Sequence, residues 1–117
     1  MSVRMIVCAK QVLDPETPSS VFKIDRDAKR AIPPSSADPV VNGFDEIAME
    51  AALRIRESEG GTITVISTGP SFMMDVIKKP LSMGADELIL LQDDAFDTPD
   101  SFVIANVLAA AIRKIGA

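Results

Sequence analysis

Histidine, tryptophan and tyrosine are absent from these 117 residues, and cysteine occurs once, at Cys8. With a single cysteine no disulfide can close within the chain, which suits a reducing compartment. Without histidine the usual structural zinc sites lack a ligand set. Cys8 also has no imidazole to activate it, and Lys10 alone is weak support for a thiolate; a small buried hydrophobe is the competing reading of Cys8. Aromatic residues make up only 4% of the chain, so Ile, Val, Leu, Ala and Met must fill the core. Twelve basic residues face 17 acidic ones, for a formal charge of −5, and no basic stripe is visible. Nucleic-acid binding and a polybasic membrane contact are therefore not expected. The amino terminus lacks a signal-peptide pattern and no apolar run is long enough to span a bilayer, so a soluble, cytoplasmic protein is expected. The Gly-x-Gly-x-x-Gly and Gly-Lys-Ser/Thr phosphate loops are missing too.

What is present is a hydrophobic content of 47%, enough for one buried core and one domain over residues 1–117. The run MIVCAKQV reads as a strand covered on both faces, as in a parallel sheet, spanning about Val3 to Ala9. In open α/β sheets, ligands bind beyond the carboxyl ends of such strands, which puts Cys8, Ala9 and Lys10 where a small-molecule site would lie. A long connection from Lys10 to about Val41 carries five of the eight prolines. Within it VFKI and KRAI flank a turn and read as a small hairpin. A loop of this length is either functional or a plain surface excursion.

Helix one is expected from Phe44 to Ser58, with Asn42 as N-cap and Gly60 and Gly61 as the stop. Phe44, Ile47, Ala48, Ala51 and Ile55 recur at helical spacing and make one apolar face. Asp45, Glu46 and Glu50 suit the positive end of the helix dipole. Strand two follows over Thr62 to Ser67. Gly69 and Pro70 open helix two, which ends at Gly84 and is bent by Pro80. Strand three is Glu87 to Leu91. Helix three starts near Pro99 or Asp100 and runs to Ile115, with a wide stripe of Ile104, Leu108, Ala111 and Ile115 that is expected to be mostly buried. Right-handed crossovers place the three strands in one parallel sheet. This is an α/β, Rossmann-like arrangement of the adenine-nucleotide-binding type, apparently truncated after the third β-α unit. Strand one would then keep one side open, and the isolated chain is expected to self-associate through strand one or helix three.

Three segments share the carboxyl edge of this sheet. Cys8, Ala9 and Lys10 end strand one; Asn42, Gly43, Phe44 and Asp45 begin helix one; Thr68 and Gly69 follow Ser67 at the end of strand two. Backbone N–H groups after Gly69 offer an anion site at the start of helix two, with ordinary capping by Ser67 or Thr68 as the competing reading. Asn42 and Asp45 either hold ribose hydroxyls or an adenine edge, or cap a helix. Asp93, Asp94 and Asp97 are a solvated loop and helix start, or part of a magnesium site with neighbours not visible in the sequence.

The blocks MIVCAKQVLDPE, NGFDEIAMEAALRIRE, ITVISTGP and LSMGADELILL, in this order, resemble the start of the β subunit of electron-transfer flavoprotein. That subunit is roughly twice as long as this chain, so the resemblance is to its N-terminal part. It implies a buried adenine-nucleotide site: AMP in ordinary members, FAD in electron-bifurcating ones. Cys8 and Ala9 would lie against adenine or ribose, Asn42, Gly43, Phe44 and Asp45 would form a second wall, and Thr68 a third contact. It further implies an electron carrier without bond-making residues of its own. Its partners would be an α subunit holding redox-active FAD, and dehydrogenases that supply electrons. A stand-alone, homodimeric nucleotide-binding module of universal-stress type is the alternative; it would carry a late glycine-rich phosphate loop, and none is present.

Overall fold

The computed structural model describes residues 2–18, 20, 22–32, 38–97 and 100–116. Its centre is a parallel sheet of β1 (Val3–Cys8), β6 (Gly61–Gly69) and β7 (Glu87–Gln92), in the order β1-β6-β7. Val7 sits beside Val65, and Val65 beside Leu88. Alternation along each strand then puts Met5, Val7, Ala9, Ile63, Val65 and Leu88 on one face. Those residues pack with Met49, Ala52, Leu53, Met83 and Ala85 into the core. Met49, Ala52 and Leu53 come from α1 (Gly43–Glu59) and Met83 from α3 (Lys79–Met83), with Ala85 just after it. The other face presents Arg4, Ile6, Cys8, Ile66 and Thr68, and α4 (Ser101–Ile115) lies there against β6. Arg4 reaches the carbonyls of Ile115 and Gly116 at the end of α4, at 3.4 Å each.

Between β1 and α1 the chain forms two small antiparallel ribbons. β2 (Gln11–Leu13) pairs with β5 (Pro39–Val41), and β3 (Lys23–Asp25) pairs with β4 (Arg30–Ile32). The second ribbon is the hairpin read from VFKI and KRAI; Val21 lies outside the described residues. Its turn is fastened by Asp25, whose carboxylate accepts from the N–H groups of Asp27 and Ala28. Arg30 ties the hairpin to Asp97 at 3.1 Å.

Three local expectations are corrected. Helix two does not open at Gly69 and Pro70: β6 continues to Gly69, and the helical chain starts only at α2 (Met74–Ile77). The Met73 N–H is held at 2.9 Å by Gln11 Oε1, which keeps the chain after Gly69 out of the helix until Met74. Pro80 does more than bend this region. It sits in the first turn of α3, and Lys78 separates α2 from α3, because Pro80 has no N–H to continue the ladder from α2. The stripe on α4 is half-covered rather than buried, and no residue of α4 is fully buried. Pro99 lies outside the described residues, and Asp100 is the N-cap.

The largest departure is on α1. The residues that meet the sheet are Met49 and Ala52, with Leu53 half-buried behind them. Phe44, Ile47, Ala48, Ala51 and Ile55, the apolar face read from the sequence, are all exposed, Phe44 at 80% and Ile47 at 67%. Hydrophobic spacing locates a stripe on a helix, but which side meets the sheet is set by the crossover.

Candidate functional site

The carboxyl edge of β1 is joined to the start of α1 by backbone chemistry. Lys10 spends both main-chain groups on it: its N–H donates to Asp45 Oδ2, and its carbonyl accepts from the Asn42 N–H, each at 2.8 Å. Asn42 caps α1, its side-chain oxygen accepting from the Phe44 N–H at 3.3 Å. The Ala9 N–H donates to Ile66 on β6 at 3.0 Å. Cys8–Lys10 and Asn42–Asp45, separated by more than thirty positions in sequence, thus form one continuous rim. Thr68 belongs to it as well: Cys8 is registered with Ile66, and Thr68 lies two residues farther along β6 on the same face.

The nine candidate residues play different parts in this geometry. Phe44 projects into solvent from the first turn of α1, Cys8 is exposed, Lys10 is exposed, and Thr68 is half-buried. These offer surfaces that a ligand can touch. Cys8 is therefore not the small buried hydrophobe considered above. Its thiol is nevertheless pushed above the ordinary range, first by partial desolvation of the sulfur and then by the neighbouring Asp45 carboxylate. Ala9 is buried in the core and its N–H is already used. Gly69 is also buried, and its carbonyl accepts from the Asp93 N–H at 3.2 Å. Gly43 is exposed, with open space where a side chain would project. The Asp45 carboxyl is pushed above the usual carboxylate range by desolvation, against the opposing pull of the Lys10 N–H and the Lys10 charge.

The anion cradle expected after Gly69 does not form, since no helix starts there. Neither Ser67 nor Thr68 caps a helix. Ser67 instead points into the interior at 1% exposure, and its hydroxyl has no hydrogen-bond partner among the described residues. Two grooves lie outside the rim. One of about 440 Å³ runs between β5, α1 and the α2–α3 segment, lined by Val40, Val76 and Leu81 with the Glu46–Lys79 ion pair. A second of about 420 Å³ lies between β7 and α4. With Cys8, Lys10, Gly43 and Phe44 all exposed, the rim itself forms an open ledge.

Two polar residues outside the nine candidates hold this edge and its opposite. Gln11 fastens the loop before α2 to the end of β1 through Met73; its place directly after Lys10 was the available signal. Asp86 works at the other end of the sheet, accepting from the Ile63 N–H at 2.8 Å and from Arg56 at 3.1 Å. Asp93 caps the short turn Asp94–Phe96 through the Ala95 N–H, and Asp97 pairs with Arg30. These carboxylates have the roles of a loop and turn start. Among the described residues no three acidic, histidine or cysteine side chains gather as a metal site would require, and no helix is long and apolar enough to cross a membrane.

Known proteins place this architecture. The family model described as the electron transfer flavoprotein domain matches residues 34–117. The chain belongs to that family. It is similar to Protein FixA of Azorhizobium caulinodans, at 35% identity over 97% of this chain and 39% of that protein. It is also similar to electron transfer flavoprotein subunit beta of Thermoanaerobacterium thermosaccharolyticum, at 38% identity over 96% of this chain and 41% of that subunit. A third relative, the caffeyl-CoA reductase-Etf complex subunit CarD of Acetobacterium woodii, is 37% identical over 97% of this chain and 42% of its own length. The chain thus spans about two-fifths of the length of these relatives. The resemblance carried by the four sequence blocks is borne out, and the universal-stress alternative is not favoured.

Proposed function

We propose that this chain is the nucleotide-binding first part of an electron-transfer flavoprotein β-type subunit, and that its ledge holds the adenosine end of AMP or FAD. The observation that carries the reading is the pair of main-chain hydrogen bonds by which Lys10 accepts from Asn42 and donates to Asp45. It brings two distant segments to the carboxyl edge of a parallel sheet in a chain of this family. The groups present suit an adenosine. Phe44 offers an exposed aromatic face to a base. Cys8 and Thr68 offer small polar contacts on one face, and Asn42 and Asp45 offer acceptors for hydroxyls. Ala9, Gly43 and Gly69 act by letting the backbone come close. Lys10 is the one cation of the rim and the natural neighbour of a phosphate.

In the complete subunit the nucleotide would act as a bound cofactor; with FAD it would add a redox centre. The residues of this chain bind and orient it and have no bond-making task. The whole protein would pair with an α subunit carrying FAD and pass electrons from dehydrogenases to an acceptor. Support for that part comes from the relatives named for electron transfer.

The test is a titration of the 15N-labelled 117-residue chain with AMP and, separately, FAD, followed by amide chemical shifts. Weak binding is expected, with shifts concentrated at Cys8–Lys10, Phe44–Asp45 and Thr68. Shifts confined to the Val40–Leu81 groove, or none at millimolar nucleotide, would overturn the assignment of the ledge.

A further inference from the structure

The chain has two asparagines, and their settings are opposite. Asn106 lies inside α4, its side-chain amide donates to the Phe102 carbonyl at 3.0 Å, and the β-branched Val107 follows it. Asn42 is the N-cap of α1, and a glycine follows it. The side-chain carbonyl carbon of an asparagine can be attacked by the next residue's main-chain nitrogen, which closes a five-membered imide. A side chain on that next residue shields the nitrogen. Gly43 has none, and where a Cβ would stand no atom of the described residues lies within 4 Å. The Gly43 N–H is also the first of α1, with no helical carbonyl one turn earlier to bind. The positive end of the helix dipole favours loss of its proton.

We propose that Asn42–Gly43 is a modification site, where the Asn42 side-chain amide deamidates through a succinimide. The Gly43 nitrogen gives its proton to a solvent base and bonds to Cγ of Asn42. The Cγ–Nδ2 bond breaks and ammonia leaves. Water then opens the imide at either carbonyl, leaving aspartate or isoaspartate at position 42. The sum is the hydrolysis of one amide, with no change of oxidation state.

The capped geometry holds this reaction in check. Asn42 has ψ of 128°, and its carbonyl accepts from the Asp45 N–H at 3.0 Å and the Glu46 N–H at 3.2 Å. Bringing the Gly43 nitrogen to Cγ turns ψ of Asn42 and opens this first turn. The Lys10 N–H bond to Asp45 Oδ2, at 2.8 Å, resists the opening from outside the helix. The rim is therefore the latch of the site, and the rate of deamidation reports how often the rim opens. The two products differ in consequence. Aspartate is as good an N-cap as asparagine and adds a negative charge at the ledge. Isoaspartate carries the chain through its side chain and adds one main-chain atom before Gly43, which uncouples the start of α1 from Lys10. The site and its latch stand without the nucleotide reading.

The test is a time course of the 117-residue chain at mildly alkaline pH, followed by peptide mapping and mass. The peptide holding Asn42 is expected to gain one mass unit and to split into aspartate and isoaspartate forms, while the peptide holding Asn106 stays unchanged. Gly43→Ala, whose Cβ meets open space, is expected to fold as the parent does by circular dichroism. It should slow the gain about tenfold, a barrier higher by about 1.4 kcal/mol. Asp45→Ala removes the latch and is expected to hasten the gain about fivefold. An unmodified Asn42 after prolonged incubation overturns the proposal, as does Asn106 reacting equally fast or Gly43→Ala reacting at the parent's rate. Asp45→Ala reacting no faster than the parent overturns the latch.

Discussion

Asp45 is where the fold and the ledge meet, and two substitutions there separate charge from hydrogen bonding. Its carboxylate accepts the Lys10 N–H at 2.8 Å and sits in the first turn of α1. Both features suggest that the charge stabilises, by the helix dipole and by a charge-assisted bond. Yet the folded carboxyl has its pKa raised, with desolvation as the leading cause. A raised carboxyl pKa means that the folded state holds the proton more tightly than the unfolded chain. The ionised form therefore costs stability above that pKa, and the cost disappears as pH falls through it. Asp45→Asn keeps an acceptor for Lys10 and removes the charge, so at pH 7 it is expected to be neutral or slightly stabilising. Asp45→Ala leaves the Lys10 N–H without its partner. Because Lys10 is exposed and water can replace the bond, the cost falls at the lower part of the range, about 1 kcal/mol. For a chain of this size that lowers the melting temperature by roughly 4–6 °C. Thermal melts at pH 7 and pH 4 decide it: Asp45→Asn destabilising as much as Asp45→Ala at pH 7 would refute the reasoning. If Asp45 also holds a ribose hydroxyl, AMP affinity should drop more in Asp45→Ala than in Asp45→Asn.

Asp86 should behave in the opposite sense. The Ile63 N–H, and after it Arg56, hold its carboxyl below the usual range, so its contribution is present above the unfolded pKa and is lost as pH falls through the folded one. Asp86→Asn is expected to flatten the acid limb of the stability–pH curve below about pH 4, and an unchanged acid limb would contradict this. Gly61→Ala is expected to be among the most damaging single changes in the chain. Gly61 has φ of +121°, and a Cβ there would run into the Val3 backbone at the start of β1. Strain and clash together predict a loss of about 3 kcal/mol or more, measured by urea denaturation; a loss under about 1 kcal/mol would mean that β1 shifts freely.

The strands, the hairpin and the helix caps were legible because their signals are local. MIVC, ITVISTG and ELILL are short apolar runs; Asn42, Gly60 and Asp100 terminate helices through their own side chains or backbone freedom. Family membership was legible too, in four ordered blocks that no single element would identify. The late start of helical structure before α2 was not, because it depends on a Gln11–Met73 bond between segments 62 positions apart. The sequence by itself determined that α1 has an apolar stripe; only the tertiary structure decided that this stripe faces outward. Met49, Ala52 and Leu53 meet the sheet because the crossover from β1 to β6 lays that side of α1 on the strands, and no periodicity along one helix encodes the direction of its neighbour. The same holds for the ledge. Its residue types were visible at strand ends, but the Lys10 bonds to Asn42 and Asp45 that unite it are contacts across a long connection, and arise only when the sheet and α1 have packed.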